Sequence, residues 1–127
     1  MTRILVVDDD ADVRAAARAI LEDAGHEVVE AGNGAAGLRA YRDAGFDLVL
    51  CDLFMPDVDG IELIRRLRRG SPNVKVIAMS AGAFDGTLDL LDLAPYLGAA
   101  EVLPKPFSLD ELVRAVERVR RPSSDEE

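Results

Sequence analysis

Asp8, Asp9, Asp52, Ser80 and Lys105 are the residues of this 127-residue chain whose types and placement could do chemistry together. Three carboxylates drawn into one place repel one another and need a proton or a metal to compensate them. Hard oxygen ligands without cysteine or histidine favour Mg²⁺, which tolerates one or two carboxylates, keeps several waters and accepts a phosphate oxygen. Lys105 supplies a point positive charge on a flexible stem, and Ser80 a hydroxyl donor. A cation, an ammonium and a hydroxyl around a nucleophilic carboxylate are the parts that phosphoryl transfer to Asp52 needs, because that chemistry is mostly positioning and charge neutralisation. Each residue also has a plainer role. Asp8 to Asp10 could cap a helix, Asp52 could be a cap or a solvated loop acid, Ser80 a loop serine and Lys105 a surface lysine. What favours a site is that they fall at four separate strand ends.

Those strand ends follow from the patterning. Ile4 to Val7 and Leu48 to Cys51 are short apolar runs of the kind that is buried on both faces of a sheet. Glu27 to Ala31, Val74 to Met79 and Ala100 to Leu103 are the other expected strands. Helical spacing follows each: Ala11 to Ala24, stopped by Gly25; Asn33 to Ala44; Gly60 to Arg69, with Asp59 and Glu62 at capping-box spacing; Asp85 to Leu97, bent or ended by Pro95; and Asp110 to Arg121, with Ser108 as its cap. Five strands alternating with five helices predict an α/β domain with a five-stranded parallel sheet and right-handed crossovers, helices covering both faces. Because the strands are parallel, Asp8, Asp9, Asp52, Ser80 and Lys105 all fall on one edge of that sheet.

Composition narrows the function classes. The length suits one domain, expected over residues 1–121, with a short polar tail at 122–127 and no output domain. Cys51 is the only cysteine, so no internal disulfide forms and a cytoplasmic location is expected. No apolar run approaches a membrane span. The formal charge of −9 argues against nucleic-acid binding by this chain alone. His26 follows Gly25 in a helix-to-strand connection and reads as a surface loop residue.

With these motifs in order, the chain resembles the receiver domain of two-component response regulators. The segments that carry the resemblance are Ile4-Leu-Val-Val-Asp-Asp-Asp10, Asp47 to Gly60 with its Met-Pro-x-x-Asp-Gly, Ser80-Ala81, and Leu103-Pro-Lys-Pro-Phe107. The resemblance implies a flavodoxin-like, doubly wound (βα)5 three-layer sandwich. It implies Asp52 as the phosphoacceptor and Asp8 and Asp9 as the acidic pair, Asp9 binding Mg²⁺ directly and Asp8 through water, with the Phe54 backbone carbonyl completing the metal site. Ser80 would hold a phosphoryl oxygen, Lys105 would pair with the phosphoryl group, and Lys105-Pro106 would be a cis peptide. The expected partners are a sensor histidine kinase or histidine phosphotransfer protein and a downstream protein target. The expected activity is self-catalysed phosphoryl transfer and autodephosphorylation, not conventional enzyme turnover.

Three features depart from that family pattern. Val102 stands where an aromatic switch residue is usual, the segment between Ser80 and Lys105 is longer around Ala83 to Thr87, and Pro95 interrupts the following helix. These predict that the signal travels through the Gly82 to Gly86 loop, with Phe84 or Tyr96 in place of the aromatic. Two rivals exist. A haloacid-dehalogenase-like phosphatase would use Asp8 and Asp10, leaving Asp52 and Met55-Pro56 unexplained. A degenerate receiver that only binds partners would not need the complete set of five residues.

Overall fold

The computed structural model describes residues 2–53, 55, 60–80 and 98–120. Its elements are β1 (Arg3–Val7), α1 (Ala11–Asp23), β2 (Glu27–Ala31), α2 (Gly34–Ala44), β3 (Leu48–Asp52), α3 (Gly60–Gly70), β4 (Val76–Ser80), β5 (Glu101–Pro104) and α4 (Leu109–Arg120). The strands form one parallel sheet in the order β2-β1-β3-β4-β5, the doubly wound flavodoxin-like order. The helix expected over Asp85–Leu97, with Pro95, Phe84 and Tyr96, lies outside the described residues, as do Asp59, the Gly82 to Gly86 loop and the tail.

Alternation along the strands builds two cores. Ile4, Val6, Leu48, Leu50, Ile77 and Met79 point to one face, where Ala17 and Leu21 of α1 and Leu112 and Val116 of α4 cover them. Leu5, Val7, Val49, Cys51, Val76 and Ala78 point to the other, under Leu38 of α2 and Leu63, Ile64 and Leu67 of α3. Both strand faces are therefore apolar, which is why the runs at Ile4 and Leu48 lack the polar alternation of a one-sided sheet.

Local chemistry sets the element ends. The Asp10 carboxylate accepts the N–H groups of Asp12 and Val13 and starts α1. Gly25, at φ +94°, turns the chain out of it. Asn33 caps α2 through Ala36 N–H instead of lying within the helix. Ser108 and Glu111 exchange reciprocal bonds at the start of α4. Glu62 pairs with Arg66 at 2.9 Å.

Strand boundaries differ most from expectation around the site. β4 runs Val76–Ser80 instead of Val74 to Met79, because the N–H of Val74 closes a turn onto the Ser71 carbonyl. Ser80 thus belongs to the strand, not to the loop after it. β3 likewise extends through Asp52, paired in register with Met79. Val102 is buried and packs on the α2–α3 side.

Two glycines in the covering helices make opposite predictions. A Cβ at Gly37 would sit 2.9 Å from a Val7 methyl, in a core where the branched valine has no room to turn, whereas one at Gly70 meets nothing within 4 Å. Gly70→Ala should raise the free energy of urea unfolding by about 0.5–1 kcal/mol. Gly37→Ala should lower it despite the same gain in helix propensity. Equal stabilisation by both substitutions would show that α2 does not sit tightly on β1.

Candidate functional site

The parallel register delivers the ends of β1, β3, β4 and β5 to one edge. Val7 lies opposite Cys51, Asp52 opposite Met79, and Ser80 opposite Pro104. One carboxylate oxygen from each of Asp8, Asp9 and Asp52 falls within 4.8 Å of the others. Asp8 is fully buried, Asp52 is 5% exposed and Asp9 faces solvent.

Asp8 is held on both of its carboxylate oxygens. Its Oδ2 accepts the Lys105 ammonium at 2.7 Å and its Oδ1 accepts the Asp10 N–H at 2.9 Å. Its backbone carbonyl accepts Nη1 of Arg14 at 2.7 Å, while the Arg14 Nε donates to Glu30 at 3.2 Å. Lys105 Nζ also lies 3.4 Å from Asp52 Oδ2. Burial by itself would depress the Lys105 ammonium. The hydrogen bond and charge of Asp8, with the charge of Asp52, outweigh that burial and hold the group above the ordinary lysine value. Lys105-Pro106 is a cis peptide, as expected.

Ser80 is fully buried at the end of β4, and its carbonyl accepts the N–H of Lys105, which ties the two site-bearing strand ends together. The Phe54 carbonyl lies outside the described residues. Three carboxylates against one ammonium leave an excess of negative charge on oxygen donors, with one acid exposed and two buried. That donor set fits a hard divalent cation such as Mg²⁺, which Asp8, Asp9 and Asp52 would hold.

Two contributors escape the sequence reading. Arg14 looks like one more solvated charge on an amphipathic helix, yet it fastens the carboxylate-bearing end of β1 to β2. Gly60 reads only as the end of the Asp47 to Gly60 motif and the start of a helix. A Cβ there would lie 2.0 Å from the Asp52 carbonyl oxygen and 2.6 Å from Leu53 Cα, so any side chain at position 60 must push on the backbone of Asp52. The Asp-Gly pair of the motif was visible, but not the reason for its glycine.

The alternatives for the aspartates divide between them. Asp10 does the capping, with its carboxylate on the first turn of α1, and this removes it from the pair that a phosphatase would need. His26 sits at the opposite sheet edge from Asp52. Its Nδ1 accepts the Thr2 N–H at 3.3 Å, and burial followed by the nearby Arg120 charge lowers its pKa.

A model of the response regulator receiver domain matches residues 4–117. The chain belongs to the response regulator receiver family. It is 43% identical over 91% of its length to the DNA-binding transcriptional regulator NtrC of Azospirillum brasilense, but spans only 23% of that protein. With the response regulator receiver protein CpdR of Brucella abortus it shares 37% identity, covering 94% of this chain and 97% of CpdR. Among solved structures, the response regulator TrrA of Thermotoga maritima, in complex with Mg²⁺-BeF, superimposes with a TM-score of 0.81 at 32% identity, covering 94% of this chain and 99% of TrrA. Among the described residues, no helix of this receiver is long and apolar enough to cross a membrane.

The Asp8–Lys105 contact generates a prediction. A cycle of Asp8→Asn, Lys105→Met and the double variant, followed by urea unfolding at pH 7 without Mg²⁺, should give a favourable coupling of about 1–3 kcal/mol. Because the folded lysine pKa is raised, the contribution is complete below the ordinary lysine value near about 10.4 and fades as the pH climbs through the higher folded value. The stability difference between wild type and Lys105→Met should stay level from about pH 7 to 9 and shrink only in stronger alkali. Coupling near zero, or a decline already below pH 9, would contradict the ion pair.

Proposed function

We propose that this receiver accepts a phosphoryl group from a phosphohistidine of a partner protein onto Asp52, and so changes its own interaction surface. The observation that carries the reading is the gathering of Asp8, Asp9, Asp52 and Lys105 at one sheet edge in a chain of the receiver family. An Asp52 carboxylate oxygen attacks the phosphorus, the P–O bond forms as the P–N bond breaks, and the electron pair leaves with the imidazole. Lys105, held within reach of Asp52, pairs with the transferred group, and the Ser80 hydroxyl donates to one of its oxygens. Asp8 and Asp9, with Asp52 and the Phe54 carbonyl, would hold Mg²⁺, which would neutralise phosphoryl charge. Water later attacks the same phosphorus, releases inorganic phosphate and restores Asp52. The receiver is thus self-catalytic in both directions and not an enzyme acting on a separate substrate.

The phosphodonor's route is supported by a mainly apolar cleft of about 410 Å³ beside the site, lined by Asp12, Val13, Ala16, Lys105, Pro106 and Phe107. A sensor histidine kinase or a histidine phosphotransfer protein could lay an apolar helix there with its histidine facing Asp52. Buried Cys51, the single cysteine of the sequence, fits the reducing cytoplasm. Relatives of about the chain's own length and much longer NtrC regulators both match this module, and the proposed chemistry draws only on residues of the module itself. TrrA's complex with Mg²⁺-BeF supports the choice of metal.

Incubation with acetyl phosphate and Mg²⁺ should add one phosphoryl mass to the wild type and none to Asp52→Asn, whose far-UV spectrum should remain that of the folded domain. Uptake at the normal rate in Asp52→Asn, or modification mapping to Asp8, would overturn the assignment.

A further inference from the structure

Asp8 and Asp9 leave the end of β1 with unequal support. The Asp8 carboxylate is bonded on both oxygens, whereas the exposed Asp9 carboxylate has no hydrogen-bond partner among the described residues. Its place within 4.8 Å of oxygens on Asp8 and Asp52 is set chiefly by the backbone that carries it. That backbone is the peptide joining Asp8 to Asp9. The peptide is planar, so the Asp8 carbonyl and the Asp9 N–H turn as one unit. Whatever holds the carbonyl fixes the direction in which Asp9 departs.

Arg14 holds it. Its Nη1 donates to the Asp8 carbonyl at 2.7 Å while its Nε donates to Glu30 of β2 at 3.2 Å. Two bonds from one rigid, planar guanidinium fix an orientation that a single flexible ammonium would not. The side chain is only 20% exposed, and a Cβ at Gly32 would come to 3.4 Å from Nη1, so the group lies against protein instead of trailing in solvent. On the other side of the residue, the Asp8 N–H donates to the Ala31 carbonyl at 3.2 Å. Both polar groups of the Asp8 backbone are therefore engaged. Glu30 is itself held, its second oxygen accepting Arg18 at 3.1 Å, and Arg18 pairs with Glu22. Arg14 and Arg18 stand one helical turn apart on α1, and Glu30 between them offsets their repulsion.

We propose that Arg14 is a positioning residue for the divalent cation. Through the Asp8 carbonyl it sets the Asp8–Asp9 peptide so that the Asp9 carboxylate faces those of Asp8 and Asp52, without touching the ion itself. The inference rests on the reading of this acidic edge as a Mg²⁺ site. Its sign separates positioning from charge. Were charge all that mattered, removing a cation from beside three carboxylates would tighten Mg²⁺ binding. Positioning demands the reverse.

The test is isothermal titration of Mg²⁺ into wild type, Arg14→Met and Arg18→Met at neutral pH, each shown to be folded by a cooperative urea transition. Arg14→Met should bind Mg²⁺ about three- to tenfold more weakly, the lost orientation outweighing the lost charge. Arg18→Met breaks two ion pairs on the same helix but no bond to Asp8, and should bind within about twofold of wild type. Equal or tighter binding by Arg14→Met would overturn the proposal, and so would an equal weakening in Arg18→Met, which would trace the effect to a loosened α1. Should Arg14→Met lack a cooperative transition, Arg14→Lys decides at unchanged formal charge: weaker binding supports the proposal and wild-type binding overturns it. A wild type that takes up no Mg²⁺ would overturn the reading of the site, and the proposal with it.

Discussion

Three carboxylates at one sheet edge are unstable company, and the Lys105 ammonium is what holds them in the arrangement described. Asp8 is wholly buried, and a buried charge without a partner would cost several kcal/mol. Its oxygens are satisfied by Lys105 on one side and the Asp10 N–H on the other, and its carbonyl by Arg14. Lys105 reaches Asp8 because β5 ends beside β4, where Ser80 accepts its backbone N–H. The site is therefore assembled from loops only in appearance. Each of its charged groups is placed by the last residue or two of a strand buried on both faces.

The same constraint explains why activity and packing are hard to separate here. Gly60 lies against the carbonyl of Asp52, and Gly37 lies against Val7, the residue before Asp8. Helices α2 and α3 thus press on the two strands that carry the acids, and small residues at the contacts let them come close. A side chain at Gly60 would press on the backbone of Asp52, and one at Gly37 on the Val7 side chain, neither touching a ligand. Single charge compensation has a further consequence: one ammonium cannot neutralise three carboxylates, so the edge keeps an appetite for a divalent cation.

Much of this was legible in the chain itself. Unbroken apolar runs ending in carboxylates, separated by helical spacing, lead to a parallel sheet, and parallel strands put Asp8, Asp52, Ser80 and Lys105 on one edge by topology alone. What stayed hidden depends on tertiary contacts that leave no periodic trace. The placement of Ser80 inside β4 follows from a turn between Ser71 and Val74. The division of labour among Asp8, Asp9 and Asp10 follows from which carboxylate meets the α1 N–H groups. Arg14 has the sequence character of a solvated helix charge, and only the packing of α1 beside β2 brings it to the Asp8 carbonyl. Val102 is buried in the core on the side of α2 and α3.

Lys105 and a divalent cation at this edge would answer the same excess of negative charge. Isothermal titration of Mg²⁺ into the wild type and into Lys105→Met at neutral pH and low salt tests it directly. With the ammonium gone, the cluster is more negative and should bind Mg²⁺ about three- to tenfold more tightly, while Asp9→Ala should bind it more weakly than wild type. Unchanged or weaker Mg²⁺ binding by folded Lys105→Met would contradict the account.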